Sequence, residues 1–227
     1  MTYALAPHAI PSVPVAGTDL RFPVHRIHCI GRNYTDHAKE MGAEVDRSQP
    51  IFFSKPADAI VIDGDVPYPM ATSDLHHEVE MVVALATGGR EIAVGSALTH
   101  VYGYGVGLDL TRRDLQAAAK KKGNPWDTAK GFDCSAPLSS LHRASVTGHP
   151  TRARLSLHVN GELRQQADIA DMLFSVAEII HELSKYYELQ SGDLIYTGTP
   201  AGVAALQRGD RFFAELGGIA TLEGDIV

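Results

Sequence analysis

Hydrophobic and polar residues alternate along several short stretches of the chain, and turn-forming residues separate those stretches. Residues 152–159 and 162–166 alternate on either side of Asn160-Gly161, a dipeptide that favours a type I′ turn. Residues 24–30 alternate in the same way. Because a period of two places side chains on opposite faces, these stretches are predicted to be β-strands, and the first two a hairpin.

Helices at 33–41, 112–122 and 176–187, together with a short helix at 95–101, are expected to interrupt this strand-rich pattern. Asn33 and Thr111 are the expected caps of the helices at 33–41 and 112–122, and Gly42 would end the first of these. Ser175 and Glu178 have the spacing of a capping box for the helix at 176–187. Many strands with a few helices favour a β-rich protein.

The chain length of 227 residues allows one large domain with a substantial core. There is no internal repeat and no low-complexity linker, so we expect a single domain over 1–227. Within it, residues 1–23 contain four prolines and are expected to form an extended lead-in.

Charge and hydropathy exclude several classes of protein. The formal net charge of −7 gives no electrostatic basis for binding nucleic acid, and the basic run 120–122 is interpreted as a solvated helix end. The sequence has no apolar run of about 18 residues and no signal-type leader, which predicts neither membrane insertion nor secretion. We therefore expect a protein of the reducing cytoplasm.

The stretch 76–85, HHEVEMVVAL, places two glutamates two residues apart in a predicted strand. Glu78 and Glu80 then project from one face, and Asp109 ends a second predicted strand over 102–110. Carboxylates held together away from water repel one another unless a cation offsets the repulsion. Mg²⁺ or Mn²⁺ suits such oxygen donors, whereas a half-exposed edge strand with solvated glutamates is the simpler alternative.

His37 and Glu40 lie three residues apart, on one face of the first predicted helix. A histidine oriented by a carboxylate is a common general-base unit, but an exposed helix with an incidental polar pair has the same spacing. Arg113 and Gln116 likewise share a helix face just beyond Asp109, where ordinary helix surface is the alternative. Spacing alone leaves both questions open.

Six motifs follow one another along nearly the whole chain. They are GRNYTDHAKEM from Gly31, HHEVEM from His76, YGYGVGLDLTRRDLQ from Tyr102, GNPWDTAKGFDCSAP from Gly123, VNGELRQ from Val159 and GDLIYTGTPAGV from Gly192. In the content and order of these motifs the chain resembles the fumarylacetoacetate hydrolase family. Within that family it most resembles the fumarylpyruvate, or acylpyruvate, hydrolases of gentisate breakdown.

The resemblance implies an α+β fold of mixed β-sheets rolled around the site, usually dimeric, with one Mg²⁺ or Mn²⁺ per chain. It assigns the ion to Glu78, Glu80 and Asp109. It assigns catalysis to His37, Glu40 and Lys130, and substrate contacts to Arg113, Gln116 and Thr199.

The implied substrate is an acylpyruvate, a 2,4-diketo acid whose C3–C4 bond is hydrolysed to a carboxylic acid and pyruvate. The ion would stabilise developing negative charge, and His37 oriented by Glu40 would activate the water. An oxaloacetate decarboxylase, or an isomerase or hydratase of related oxo acids, needs the same metal and stays open. A binding protein without chemistry is the remaining alternative, although clustered unpaired carboxylates argue against it.

A fumaryl or maleyl group carries a distal carboxylate that acetylpyruvate lacks, so a cation near the acyl end is expected. Arg32 and Lys55 are the candidates, because both lie close in sequence to the helix of His37. That helix is expected to close over substrate as a lid. The alternative is that Arg32 and Lys55 are surface cations.

Overall fold

The computed structural model describes residues 2–40, 47, 49–62 and 64–227. The strands are β1 (Ser12–Pro14), β2 (Arg21–Pro23), β3 (Ile27–Gly31), β4 (Ile51–Lys55), β5 (Ile60–Ile62), β6 (Leu75–His76), β7 (Val79–Leu85), β8 (Val101–Leu108), β9 (Thr111–Arg112), β10 (Ala136–Leu138), β11 (His142–Arg143), β12 (Arg154–Val159), β13 (Glu162–Asp168), β14 (Leu194–Tyr196), β15 (Ala205–Leu206), β16 (Arg211–Leu216) and β17 (Ala220–Asp225). The helices are α1 (Thr35–Glu40), α2 (Val94–Ala97), α3 (Arg113–Lys122), α4 (Asp127–Lys130), α5 (Ala144–Thr147) and α6 (Val176–Tyr186). The predicted end of the first helix, at Met41 and Gly42, lies outside the described residues.

The main sheet is mixed and has β7 near its centre. Its strand order is β4-β3-β14-β7-β8-β10-β5, with β11 also paired to β8. The β14–β3 and β10–β5 pairs are parallel, whereas β7 is antiparallel to both of its neighbours. Every residue of β7 is buried. The alternative of a half-exposed edge strand is therefore wrong.

Two hydrophobic clusters cover the two faces of β7. Met81 and Val83 belong to one cluster, which includes apolar residues of α6 and of the second sheet, β13-β12-β16-β17. Val82 and Ala84 belong to the other, which includes residues of β1, β2 and β14. Because both faces are packed, polar side chains at the end of β7 are enclosed by protein.

Two local predictions agree closely with the structure. β12 and β13 form an antiparallel hairpin, and Asn160 and Gly161 have the positive φ values, 53° and 81°, that a type I′ turn requires. α6 begins with a capping box in which Ser175 and Glu178 bond each other's backbone N–H groups. Among the described residues, no helix is both long and apolar enough to cross a membrane.

The predicted strand 76–85 and the predicted cap Thr111 differ from the structure. β6 leaves the main sheet and pairs with β9, so the strand breaks between His76 and Val79. Thr111 lies in β9, and α3 begins two residues later without a side-chain cap. The hydroxyl of Thr111 instead donates to the carbonyl of Asp109 and accepts from Lys130. Long-range contacts thus replace the local cap.

Candidate metal centre and active site

Three carboxylates meet where β7 begins and β8 ends. These strands are antiparallel neighbours, with Val79 opposite Leu108, and the backbone N–H of Asp109 donates to the carbonyl of Glu78 at 2.8 Å. One carboxylate oxygen from each of Glu78, Glu80 and Asp109 lies within 4.8 Å of the others. All three residues are buried. The sheet register therefore produces the predicted cluster.

The charges in this cluster are unequally compensated. Burial, together with the negative charges of Asp109 and Glu78, raises the pKa of Glu80 well above its ordinary value. Burial would also raise the pKa of Glu78, but Lys130 and Arg113 outweigh it and hold that pKa below its ordinary value. The residual repulsion is concentrated on Glu80, and a cation would relieve it.

The donor set fits a hard divalent cation. Oδ1 of Asp109 is buried and accepts no well-directed hydrogen bond from the described residues, although the Lys55 ammonium lies 2.9 Å away. Glu80 uses Oε2 to accept the backbone N–H of Gly198 at 2.7 Å. Three carboxylates with an unsatisfied oxygen are the ligands that Mg²⁺ and Mn²⁺ prefer.

Lys130, on α4, lies against the cluster. Its ammonium donates to Glu78 at 2.8 Å, to Asp109 at 2.6 Å and to the Thr111 hydroxyl at 2.7 Å. Burial alone would lower the pKa of Lys130, but Asp109 and Glu78 outweigh it and raise that pKa. Lys130 is therefore a fixed positive charge and not a base. It can reach a substrate oxygen only by exchanging one of these three bonds.

Lys55 does not occupy the position expected of a residue that recognises the distal end of a substrate. Its buried ammonium lies 2.9 Å from Asp109 and donates to the carbonyls of Leu110 at 3.0 Å and Lys130 at 2.5 Å. The prediction of a distal contact is corrected on this geometry. Lys55 is an ion-pair partner of Asp109. This contact depends on the pairing of β4 with β3, which the sequence alone did not indicate.

Arg113 and Gln116 lie on the cavity side of α3. The Arg113 guanidinium donates to Glu78, to Gln116 Oε1 at 2.8 Å and to His76 Nδ1 at 3.2 Å. Gln116 is buried, so its amide is held by Arg113 and not by solvent. The i,i+3 spacing placed both residues on one helix face, and the family resemblance assigned them to the substrate. The contact with His76 was not predicted, because it depends on β6 lying close to α3 in the fold.

Thr199 follows β14 in a loop that is fixed from two sides. Its hydroxyl donates to the Val79 carbonyl at 2.9 Å and accepts from Gln165 Nε2 at 2.8 Å. Gln165 also accepts the backbone N–H of Val79 and donates to the carbonyl of Pro200. Gln165 was not predicted as a site residue, although it ends the quoted motif VNGELRQ. Thr199 has no hydroxyl hydrogen left for a substrate oxygen.

His37 and Glu40 face each other on α1, with 3.5 Å between Nδ1 and Oε2. Both Glu40 oxygens also accept the backbone N–H of Gly202 at 3.1 Å, which fixes the carboxylate. Burial lowers the pKa of His37, against the opposing effects of Glu78 and Glu40. A buried histidine with a lowered pKa is neutral near pH 7 and can accept a proton.

One cavity brings most of the predicted residues together. Its lining includes Arg32, His37, Glu78, Glu80, Arg113, Gln116, Lys130 and Thr199, and also Phe53, Lys120 and Trp126. Arg32 has a φ of 60°, an uncommon value for a residue with a side chain. Lys120 is half-buried, so its interpretation as a solvated helix end is wrong; Lys121 and Lys122 are exposed as expected.

The sequence of residues 26–227 matches the family described as Fumarylacetoacetate (FAA) hydrolase C-terminal. The chain belongs to the fumarylacetoacetate hydrolase family. A solved structure of fumarylpyruvate hydrolase from Pseudomonas aeruginosa, in complex with Mn²⁺ and pyruvate, superimposes with a TM-score of 0.98 at 45% identity. The match covers 100% of this chain and 99% of that one. The predicted family and fold are thereby confirmed.

Two further relatives of this fumarylacetoacetate hydrolase family member are named for two different activities. A candidate fumarylpyruvate hydrolase from Burkholderia cenocepacia is 54% identical with a TM-score of 0.94, covering 100% of this chain and 98% of that chain. Oxaloacetate tautomerase YcgM from Escherichia coli (strain K12) is 43% identical over 199 residues, 86% of this chain and 89% of that protein. The chain is thus an enzyme of hydrolase or tautomerase type with a carboxylate site suited to a divalent ion.

Proposed function

We propose that the chain is a hydrolase that cleaves the C3–C4 bond of an acylpyruvate, such as fumarylpyruvate or maleylpyruvate, to a carboxylic acid and pyruvate. The observation that carries the proposal is that His37 lines the same cavity as Glu78 and Glu80, two of the three clustered carboxylates. The bound Mn²⁺ and pyruvate of the Pseudomonas aeruginosa enzyme support it, since pyruvate is a product of this reaction.

Glu78, Glu80 and Asp109 would hold one Mg²⁺ or Mn²⁺ per chain. When bound, such an ion supplies Lewis-acid stabilisation of the negative charge that develops on the oxygens of a 2-oxo acid. The rest of the chemistry belongs to the side chains. The fixed positive charge of Lys130, which lies against Glu78 and Asp109, would add to the electrostatic stabilisation of this negative charge.

The His37 ring is the proton carrier. With Nδ1 directed at Glu40, Nε2 is the nitrogen left to take a proton from water in the cavity. The hydroxide adds to C4, the C3–C4 bond breaks, and its electron pair stays with the pyruvate fragment. Protonated His37 then returns the proton to C3, so atoms and charge balance.

Arg113 and Gln116 would orient the substrate. Arg113 is anchored to Glu78 and His76, and its planar guanidinium suits a carboxylate. Gln116, held through its oxygen by Arg113, has its amide N–H groups available for a carbonyl oxygen. Thr199 can only accept a hydrogen bond from a ligand, because its own hydrogen is used by Val79.

An oxaloacetate tautomerase is the second candidate, on the observation that YcgM from Escherichia coli carries that name. Moving a proton between C3 and oxygen needs the same ion and a base, but no water attack on a second carbonyl. Decarboxylation of oxaloacetate and isomerisation or hydration of related oxo acids draw on the same residues. The products separate these reactions from acylpyruvate cleavage, because only cleavage releases pyruvate together with a second carboxylic acid.

A substrate panel tests the proposal directly. Acetylpyruvate, fumarylpyruvate, maleylpyruvate and oxaloacetate are incubated with protein and Mg²⁺ or Mn²⁺, products are identified by mass, and enol–keto conversion of oxaloacetate is followed by absorbance. Pyruvate with the matching carboxylic acid supports the hydrolase. Rapid tautomerisation of oxaloacetate without cleavage of any acylpyruvate would establish the second candidate instead.

We further propose that the protein acts as a homodimer in the cytoplasm, in gentisate-type aromatic breakdown, with residues 1–227 as one catalytic domain. These assignments rest on the family resemblance. Light scattering of the purified protein checks the mass of the assembly, and limited proteolysis checks for a second folding unit.

A further inference from the structure

Lys120 is a further cation that lines the same cavity, two helical turns beyond Arg113 along α3. Lys120 follows Arg113 by seven residues on α3, which is about 10 Å along a helix axis. Arg113 contacts Glu78, whereas Lys120 lies beside Trp126 and has no carboxylate within 4.0 Å among the described residues. Among the described residues, Arg113 is therefore paired directly with a carboxylate and Lys120 is not.

Two neighbouring aromatic rings lie beside the ammonium groups of Lys130 and Lys120. The Lys130 ammonium lies 4.9 Å from the centroid of the Phe53 ring, and the Lys120 ammonium lies 5.2 Å from that of Trp126. The Phe53 and Trp126 centroids are 6.1 Å apart. A ligand that contacted both lysines would lay its middle section across two aromatic rings. This surface suits an apolar or planar carbon chain.

Among the described residues, no carboxylate pairs directly with the charge of Lys120. Burial, with Arg113 and Arg32 nearby, lowers the pKa of Lys120 to about 8. The ring of Trp126 offsets only part of this cost, because a cation–π contact is weaker than an ion pair with a carboxylate. An anionic group delivered by a ligand would supply the missing partner.

We propose that Lys120 binds the carboxylate at the acyl end of the substrate and so selects 2-oxo acids that end in a second carboxylate. The proposal rests on the proposed function and names the substrate class of the same cavity. Lys120 would contact the distal end of the substrate. Lys55 is excluded from that role, because its ammonium is held by Asp109 and by backbone carbonyls. Arg32 lines the same cavity and would share the role.

Chain length distinguishes the possible substrates. In fumarylpyruvate five carbon–carbon bonds of about 1.5 Å join C2 to the distal carboxylate carbon, and in oxaloacetate only two. Lys120 lies two helical turns beyond Arg113, so a ligand held near Arg113 must extend along α3 to meet it. Fumarylpyruvate extends farther in that direction than oxaloacetate, because its distal carboxylate is more carbon–carbon bonds away from C2.

The test is a binding measurement that needs no turnover. We would measure by calorimetry the affinity of the Mn²⁺-loaded protein for 2-oxoheptanedioate and for 2-oxoheptanoate, which differ only in the distal carboxylate. Neither has a C4 carbonyl to be cleaved. The wild type should prefer the dicarboxylate by about tenfold or more, as expected for a charged hydrogen bond. Lys120→Met should reduce this preference to less than about threefold.

Two matched variants complete the design. Lys121→Met removes an exposed charge from the next position of α3 and should leave the preference unchanged. Lys120→Arg keeps the charge and should retain most of it. An equal affinity for both ligands in the wild type, or an unchanged preference in a folded Lys120→Met protein, would overturn the proposal. A failure of the hydrolase proposal would instead appear in the substrate panel, as absence of acylpyruvate cleavage.

Discussion

Lys55 and Asp109 form a fully buried ion pair, with 2.9 Å between Nζ and Oδ1. Asp109 is also bonded by the ammonium of Lys130 at 2.6 Å, so one carboxylate stands between two lysines. Asp109 therefore has two roles, as a candidate metal ligand and as the counter-ion of two buried cations. Glu80, which contacts no lysine, has only the first role among the described contacts.

This difference predicts opposite effects on the metal-free protein. Asp109→Asn leaves two buried ammonium groups short of an anion, and removing one partner of a buried pair costs about 3–5 kcal/mol. Glu80→Gln removes the carboxylate whose pKa is raised by burial and by its acidic neighbours, so the apo protein should become more stable. Thermal unfolding without metal measures both effects.

Calorimetry with Mn²⁺ on the same two variants separates stability from metal binding. Both should lose Mn²⁺ affinity, because each removes one of three carboxylate ligands. A folded Asp109→Asn protein with unchanged Mn²⁺ affinity would remove Asp109 from the site. A fall in the stability of apo Glu80→Gln would show that the repulsion argued for Glu80 is absent.

Lys55→Met should act through Asp109 and not through the substrate. Its effect on kcat/KM is expected to be the same factor for fumarylpyruvate and for acetylpyruvate, because the Lys55 ammonium is enclosed by Asp109 and two carbonyls. Kinetics with the two substrates at saturating Mn²⁺ provide the measurement. A loss confined to fumarylpyruvate would restore Lys55 as a contact for the distal carboxylate.

Predictions from local sequence patterns succeeded where local interactions decide the structure. Asn160-Gly161 and the Ser175–Glu178 pair stabilise their own turn and helix start, and both appear as predicted. Thr111 has an equally good local signal for a cap, yet its hydroxyl is used by Lys130. A local rule cannot anticipate a partner that the fold brings from a distant segment.

The candidate site shows the same limit. The strand period placed Glu78 and Glu80 on one face, and the family resemblance assigned Asp109 to the same ion. The environments of Lys55 and Lys120 were misjudged, since charge and position on an element do not reveal burial. Gln165 was overlooked because the four hydrogen bonds of its side-chain amide are all made to residues distant in sequence. These partners come together only when the β12–β13 hairpin packs near the start of β7.

A cluster remote from the active site predicts how stability depends on pH. The buried carboxylate of Asp193 lies 2.8 Å from both Arg26 and His25 and accepts the backbone N–H of Gln190. Burial would raise the pKa of Asp193, but the His28 ring 3.7 Å away and hydrogen bonds from Arg26 and Gln190 outweigh it and hold that pKa well below its ordinary value of 3.8.

A depressed pKa stabilises the folded state above the ordinary pKa, and this contribution is lost as the pH falls through the folded-state pKa. Asp193→Asn should therefore lower the free energy of unfolding by about 2 kcal/mol or more at pH 6, with a smaller deficit below pH 4. Urea unfolding of the apo protein over this pH range is the measurement, with exposed Asp65→Asn as the control. A deficit that is constant with pH would contradict the assigned role.

The last prediction separates water activation from the rest of the site. Only C–C hydrolysis requires a base that delivers water to C4, so His37→Gln should lower acylpyruvate cleavage by about 10²-fold or more. Oxaloacetate decarboxylation, where present, should fall much less. Glu40→Gln should have a milder effect, because a glutamine oxygen can still accept the Gly202 N–H while orienting His37 less firmly. Both activities are measured on the same preparations with equal Mn²⁺ loading. A proportional loss of both would mean that His37 binds substrate or closes the cavity, and full retention of hydrolysis would place the base elsewhere.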